Sequence, residues 1–205
     1  MLINCELSIT SGMKDDGGDS VTDDETNFWQ IAPGAALTQR ERYWIRQAAG
    51  NVTRIFGPRC TIVNIGVEHG ASIHCLRAGA PEARIVAVEI DLERIPPKRP
   101  DLMRAELVQG DSREVWRDYA GLEVALLFVD GGHEYEIVQA DIANWAPMVE
   151  VGGVIVFHDY APRPADLEQW HLGGVRRAVD EWVEGNLCWA RVPAADSLAA
   201  FLRVG

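Results

Sequence analysis

The chain has 205 residues, of which 47% are hydrophobic and 24% are charged, a composition typical of a globular domain with its own core. Its formal net charge of −12 argues against a surface that binds a nucleic acid backbone, so we expect no nucleic acid partner. Four widely spaced cysteines without a CxxC pair argue against a disulfide framework, which favours a reduced, cytoplasmic protein. No apolar run approaches the roughly 20 residues that span a bilayer, so we expect no membrane association.

Residues 1–27 differ in composition from the rest of the chain. The stretch KDDGGDSVTDDETN at 14–27 is acidic and nearly free of large apolar side chains. It therefore cannot offset the entropy lost on ordering by burying apolar surface. We expect a flexible acidic arm over 1–27 and a single domain over 28–205. The aromatic stretch FWQIAPG at 28–34 leaves two roles open, a lid over a bound ligand or a contact in a homo-oligomer.

The domain begins with a predicted helix and continues as alternating strands and helices. Thr38 and Glu41 have the spacing of a capping box, and apolar side chains at helical spacing follow them. The later apolar runs are rich in β-branched residues and do not alternate with polar ones, which is typical of strands buried on both faces of a parallel sheet. We predict strands at 61–66, 84–90, 105–110, 124–130 and 153–159, and helices at 71–79, 112–119, 134–149 and about 172–185.

The chain ends with two further apolar runs, at 187–192 and 197–204. The four residues PAAD between them are too few for a crossover helix, so the two strands should pair antiparallel. The predicted fold class is therefore α/β, with a doubly wound, Rossmann-like and mostly parallel sheet that ends in an antiparallel hairpin.

A glycine loop follows the first predicted strand, at the edge where open α/β sheets bind ligands. In NIGVEHGAS (64–72), Gly66 and Gly70 let the backbone approach a ligand close to the beginning of a helix. Glu68 stands where a dinucleotide fingerprint requires glycine, and its charge disfavours a pyrophosphate. The loop therefore suits a ligand with a cationic or zwitterionic group.

The second and third predicted strands end in acidic residues. Glu89 in VEID can accept hydrogen bonds from a ribose diol, and Asp111 in QGDS can accept one from the exocyclic amine of adenine. Each residue alone is also a favourable helix N-cap, so both interpretations stay open. Their joint placement beside the glycine loop favours a site for a nucleoside.

The fourth and fifth predicted strands end in DGGHEYE (130–136) and in HDY (158–160). Histidine has an ordinary pKa near neutrality, so His133 is suited to act as a general base. The open alternative is a histidine that only hydrogen-bonds the loop at the beginning of the next helix.

Together these stretches resemble successive motifs of class I S-adenosylmethionine-dependent methyltransferases. The resemblance is carried by VNIGVEHGAS, VAVEID, VQGDS and the long stretch LLFVDGGHEYEIVQADIANWAPMVEVGGVIVFHDY. The last stretch is similar to the subgroup with macrolide-sugar O-methyltransferases and cephalosporin-hydroxylase-like proteins. The resemblance covers about residues 60–204 and implies methyl transfer from S-adenosylmethionine to a hydroxyl of a small molecule, such as a sugar or a natural product.

The resemblance also implies roles for the candidate site residues. Gly66 and Gly70 would lie under the methionine portion of the cofactor, Glu89 would hold the ribose hydroxyls, and Asp111 with Ser112 would flank the adenine. The full predicted cofactor set is Asn64, Gly66, Glu68, Gly70, Ser72, Glu89, Ile90, Asp111, Ser112 and Asp130.

The resemblance implies that His133 deprotonates the acceptor and that Asp130 orients it. In metal-dependent relatives, acidic residues after strands four and five bind a divalent cation, which implies a cation such as Mg²⁺ on Asp130 and Asp159. His158 replaces the first acid of that second pair. Two interpretations of His158 stay open: a further ligand that favours softer divalent ions, or a side chain packed beneath the cofactor.

Three positions depart from the family pattern, namely Asn64, Glu68 and His158. Two alternative functions therefore stay open, an NAD-dependent oxidoreductase and a methyltransferase-like module that binds without turnover. Glu68 and the C-terminal hairpin disfavour the oxidoreductase.

Overall fold

The computed structural model describes residues 37–95, 104–161 and 172–205, and these residues build a seven-stranded sheet flanked by helices. The predicted acidic arm over 1–27 and the aromatic stretch at 28–34 lie outside the described residues. Within the described part of the chain, no helix is both long enough and apolar enough to cross a membrane.

The sheet has the mixed character that the sequence predicts. Its strands are β1 Thr61–Ile65, β2 Arg84–Glu89, β3 Glu106–Gln109, β4 Val124–Val129, β5 Val149–Phe157, β6 Trp189–Val192 and β7 Ala199–Arg203. In space they follow the order β3-β2-β1-β4-β5-β7-β6. The first five pair in parallel, whereas β7 runs antiparallel to both β5 and β6. The predicted fold class and its C-terminal antiparallel hairpin are confirmed.

The α-helices of the described residues are α1 Gln39–Phe56, α2 Ala71–Gly79, α3 Ser112–Val115, α4 Tyr135–Trp145 and α5 Leu172–Val183. Helix α1 packs against α2, and α4 packs against α5. The predicted capping box begins α1. The Thr38 hydroxyl accepts a hydrogen bond from the Glu41 backbone N–H at 3.2 Å, and the Glu41 carboxylate accepts one from the Thr38 N–H at 2.7 Å. The local rule for a helix start therefore holds here.

The predicted helix over 134–149 is shorter than expected. The α-helix ends at Trp145, and a single 3₁₀ turn over Ala146–Met148 follows it. Pro147 explains the difference because proline has no backbone N–H to continue the helical hydrogen bonds.

Strand β5 also differs from the prediction at 153–159, because it begins at Val149 and ends at Phe157. His158 and Asp159 consequently lie just beyond β5 rather than within it.

The predicted helix over 112–119 is divided into a short α-helix, α3, and a 3₁₀ turn over Trp116–Tyr119.

The strand order reverses at β1, which pairs with β2 on one side and with β4 on the other. Parallel strands end at the same edge of a sheet, and the connections on either side of such a reversal leave a crevice there. The segments that follow β1, β2, β3 and β4 carry the glycine loop, the two acidic residues and the DGGH motif. The fold therefore brings the predicted motifs to one edge.

Candidate active site

A cavity of about 540 Å³ lies at the carboxyl ends of β1 to β4. This volume is in the range of small-molecule and cofactor sites. Most of the predicted site residues line the cavity: Gly66, Glu68, Ser72, Glu89, Ile90, Asp111, Ser112, Asp130, His133 and Asp159. Three predicted residues, Asn64, Gly70 and His158, are not among its lining residues.

The loop after β1 is pressed against the DGGH loop. Gly66 has a φ of 81°, and a Cβ at this position would lie 1.9 Å from the carbonyl oxygen of Asp130. The Asp130 backbone N–H also donates to the Ile65 carbonyl at 2.8 Å. Only glycine fits such a close contact with the Asp130 backbone. The contact joins the glycine loop to the DGGH loop, and the cofactor and catalytic predictions depend on these two loops.

Asn64 and Gly70 lie in the loop beside the cavity, and their predicted contact with a cofactor stays a prediction. Asn64 is fully buried, and its side-chain N–H donates to the Gly66 carbonyl at 2.6 Å. Gly70 precedes α2 in the left-handed conformation, with a φ of 78°. Both residues therefore shape the backbone on which a ligand would lie.

Glu89 is a buried anion that holds the same loop. Its Oε2 accepts hydrogen bonds from the backbone N–H groups of Val67 at 2.8 Å and Glu68 at 2.9 Å, and its Oε1 accepts one from Asp91 at 3.1 Å. Burial opposes ionisation, but these backbone donors hold the pKa of Glu89 below its ordinary value. A carboxylate oxygen can accept more than one hydrogen bond, so ribose hydroxyls remain suitable partners.

Asp111 combines the two interpretations that the sequence leaves open. It lines the cavity and also caps α3, since its Oδ1 accepts from the Arg113 backbone N–H at 2.9 Å. The Arg113 guanidinium donates to both carboxylate oxygens and holds the pKa of Asp111 below its ordinary range. Much of the hydrogen-bonding capacity of Asp111 is therefore used within the protein.

Ser112 is held by two side chains of α4. Its hydroxyl donates to Oδ1 of Asp141 at 2.6 Å, and its carbonyl accepts from the Trp145 indole N–H at 3.0 Å. Sequence reasoning did not select Asp141. A signal was present, because Asp141 shares helical spacing with the buried Val138, Ile142 and Trp145, so it is a charged residue on an apolar face.

Asp130, His133 and Asp159 line the cavity and lie close together. Each offers one ligand atom, and these atoms lie within 4.8 Å of one another. Nε2 of His133 is 3.3 Å from Oδ2 of Asp159. Asp159 has a positive φ of 54°, a strained conformation that is often found at functional sites.

His158 is buried directly behind this group. Its Nδ1 lies 3.0 Å from Oδ1 of Asp130 and 3.0 Å from Oδ2 of Asp159, and its Nε2 lies 3.7 Å from Oε2 of Glu41. Burial opposes the charged form, but the three carboxylates raise the pKa of His158 to about 12. With its pKa raised in this way, the imidazole of His158 is a counter-ion for the three carboxylates, and its predicted role as a metal ligand stays a prediction.

Glu41 completes the buried cluster, and sequence reasoning assigned it only a capping role. Its Oε1 accepts from the Ser197 backbone N–H at 3.0 Å and from the Ser197 hydroxyl at 2.6 Å. Burial opposes ionisation, but His158, Ser197 and Thr38 lower the pKa of Glu41 to about 2. Its carboxylate is therefore charged where it faces His158.

Comparison with known proteins agrees with this architecture. Residues 63–160 match the family model described as a methyltransferase domain. An uncharacterised protein of Sinorhizobium fredii, y4gI, is 30% identical over 106 residues, which are 48% of this chain but only 12% of that protein.

Solved structures of methyltransferases share the fold at low sequence identity. The O-methyltransferase NovP is 17% identical, with a TM-score of 0.64 and 84% of each chain covered. An O-methyltransferase from Bacillus cereus in complex with SAH is 14% identical, with a TM-score of 0.63 over 83% of this chain and 84% of that one. MycE in complex with Mg, SAH and mycinamycin VI is 17% identical, with a TM-score of 0.54 over 75% of this chain and 48% of that one.

Residues 63–160 thus match a methyltransferase domain, and the chain has the fold of solved methyltransferases. The predicted resemblance to class I S-adenosylmethionine-dependent methyltransferases is confirmed by the family match and the shared fold. The resemblance to the sugar O-methyltransferases among them stays a prediction.

Proposed function

We propose that the protein transfers the methyl group of S-adenosylmethionine to a hydroxyl oxygen of a small molecule, such as a sugar or a natural product. One observation carries the proposal: Gly66 and Glu89 line the same cavity as His133 and Asp130. NovP and the Bacillus cereus protein are described as O-methyltransferases, and MycE was determined with mycinamycin VI, which supports a hydroxyl of a small molecule as the acceptor.

The residues along β1 to β3 fit such a cofactor. Gly66 leaves room for close approach, Glu89 offers acceptors for ribose hydroxyls, and Asp111 with Ser112 lines the region assigned to the adenine. When bound, S-adenosylmethionine supplies a methyl group on a positively charged sulfur. The carboxylates that line the cavity attract this charge, and Glu68 among them disfavours a dinucleotide. The methyltransferase match further favours this function over an NAD-dependent oxidoreductase.

His133 is proposed as the general base that takes the proton from the acceptor hydroxyl. Asp159, at 3.3 Å from Nε2, orients the imidazole and balances the charge that proton transfer leaves on it. Asp130 is proposed to orient the acceptor, because His158 holds one of its oxygens and thereby fixes the carboxylate.

A divalent cation on Asp130 and Asp159 is part of the proposal. Glu41, Asp130 and Asp159 together carry three negative charges and His158 carries one positive charge, so two negative charges remain in the cluster. Carboxylate oxygens suit Mg²⁺ and Mn²⁺, and a bound cation would lower the pKa of an acceptor hydroxyl. Calorimetry with Mn²⁺ should show binding to the wild type and loss of binding in Asp130→Asn.

His133→Ala tests the catalytic assignment. The assay incubates the protein with methyl-labelled S-adenosylmethionine and a panel of sugars and hydroxylated natural products. We expect turnover to fall by about 10²- to 10⁴-fold, because general base catalysis contributes that much. The affinity for S-adenosylhomocysteine should change less than about twofold, since a base contributes little to binding the cofactor.

Three outcomes separate the proposal from its alternatives. Absence of S-adenosylhomocysteine binding to the wild type would contradict the whole proposal. Binding without any methyl transfer across the panel would favour the module that binds without turnover. Unchanged turnover in His133→Ala would remove the base assignment but leave the methyltransferase.

The homo-oligomer that the sequence suggests stays a prediction.

A further inference from the structure

Asp141 is a buried carboxylate that none of the assignments above uses. It lies on α4 without solvent exposure, and the Ser112 hydroxyl donates to its Oδ1 at 2.6 Å. One helical turn further, the Trp145 indole N–H donates to the Ser112 carbonyl at 3.0 Å. Helix α4 therefore holds both the side chain and the backbone of a residue that lines the cavity.

The other oxygen of Asp141 has no hydrogen-bond partner in the described part of the chain. This Oδ2 lies 3.7 Å from the position that a Cβ on Gly131 would occupy, and both Gly131 and Ser112 line the cavity. Asp141 is thus located beneath the cavity wall, between the end of β3 and the end of β4. A buried acceptor without a donor costs stability, so its place at this wall calls for a role other than stabilising the fold.

Asp111 is poorly available for a bound nucleoside, because the Arg113 guanidinium donates to both of its carboxylate oxygens. Ser112, the residue that directly follows Asp111 in the chain, also lines the cavity at this wall. Asp141 contacts the wall through the Ser112 hydroxyl.

We propose that Asp141 is a positioning residue for the nucleoside end of the cofactor. It acts through Ser112, whose hydroxyl and carbonyl are fixed to α4 by Asp141 and Trp145, so that the wall after β3 keeps a shape that accepts the nucleoside. This inference rests on the proposed function, since it takes S-adenosylmethionine and S-adenosylhomocysteine as the ligands of the cavity.

The test measures S-adenosylhomocysteine binding by calorimetry for the full chain and its variants. Asp141→Leu should raise Kd about tenfold, because it removes the acceptor that holds Ser112. Asp141→Asn keeps an acceptor oxygen for Ser112 and should stay within about threefold of the wild type. Ser112→Ala should raise Kd about as much as Asp141→Leu, and the double variant should be no worse than either, because one contact is lost in all three.

Ser197→Ala is the matched control. It removes the same kind of contact, a serine hydroxyl at 2.6 Å from a buried carboxylate, but on Glu41 and away from the wall after β3. This variant should lower the melting temperature and leave Kd for S-adenosylhomocysteine within about twofold of the wild type.

The possible results give distinct answers. The inference is supported if Asp141→Leu and Ser112→Ala weaken binding, Asp141→Asn restores it and Ser197→Ala does not affect it. It is overturned if Asp141→Leu lowers the melting temperature but binds like the wild type. It is also overturned if the effects of Asp141→Leu and Ser112→Ala add, because the two residues then act separately. Should Asp141→Leu fail to fold, Ser112→Ala against Ser197→Ala decides the question. A wild type that binds no S-adenosylhomocysteine overturns the proposed function as well.

Discussion

Two carboxylates of this protein, Glu41 and Asp141, are fully buried, and their environments differ in almost every other respect. Glu41 accepts hydrogen bonds from Thr38 and from two donors of Ser197, and it faces the imidazole of His158. Asp141 accepts one hydrogen bond, from Ser112, and its second oxygen has no hydrogen-bond partner within the described residues.

The pKa values of the two carboxylates move in opposite directions. For Glu41 the donors and His158 outweigh burial, and the pKa falls to about 2. For Asp141 burial outweighs the single hydroxyl, and the pKa rises to about 6. Burial alone therefore does not decide whether a carboxylate is charged; the number of donors and a facing cation decide it. The carboxylate that faces His158 is therefore held charged, whereas the carboxylate that accepts from Ser112 has a raised pKa.

The largest expected effect comes from removing the cation of the Glu41 cluster. His158→Gln would leave Glu41, Asp130 and Asp159 without their common counter-ion, and breaking a buried ion pair from one side costs about 3–5 kcal/mol. Urea denaturation at pH 7.5 measures this loss. The matched control is His69→Gln, at a half-exposed position, which should change the free energy of unfolding by less than about 0.5 kcal/mol. A loss below about 1 kcal/mol in His158→Gln would show that His158 is not the counter-ion.

Substituting each of the two buried carboxylates by its amide tests the difference between Glu41 and Asp141 directly. At pH 8, Glu41→Gln should lower the free energy of unfolding by about 2–3 kcal/mol, because it removes a buried charge that faces His158. Asp141→Asn should leave stability unchanged or raise it by about 1–2 kcal/mol, since the amide needs no ionisation in a buried position. Equal losses in the two variants would refute the distinction between the carboxylates.

The smallest effect is the pH dependence that Asp141 contributes. The pKa of Asp141 is about 6 in the folded protein, and the ordinary value for an aspartate, 3.8, applies to the unfolded chain. Between these two pH values the folded state therefore binds more protons than the unfolded state. This contribution therefore makes stability fall as pH rises from about 4 to 6, and the loss is complete above that range. The stability difference between Asp141→Asn and the wild type should grow through this window and become constant above about pH 7, as measured by denaturation at several pH values. A difference that is independent of pH would mean that Asp141 does not titrate there.

The sequence predicts most of the fold because the signals for it are local. The capping box at Thr38 and Glu41, the apolar strands and the short link before the last strand each depend on a few neighbouring residues. The errors are also local: Pro147 ends α4 early, and β5 begins at Val149, before the predicted strand at 153–159.

The site was less predictable, because its supporting contacts join distant parts of the chain. The DGGH motif and Glu89 are recognisable from strand ends, and the structure brings them to one cavity. The burial of Glu41 depends on Ser197, 156 positions later, and the charge of His158 depends on carboxylates from three segments. No pattern of neighbouring residues reports such contacts, so the roles of Glu41 and His158 could not be foreseen.

The contact between Glu41 and Ser197 also bears on the order of events during synthesis. A domain emerges from the ribosome beginning with its N-terminal side, so α1 is present long before residue 197. Until then the Glu41 carboxylate lacks two of its donors and cannot take its final buried position beside His158. The cluster of Glu41 and His158 should therefore mature late, after the glycine loop and the first four strands are already available.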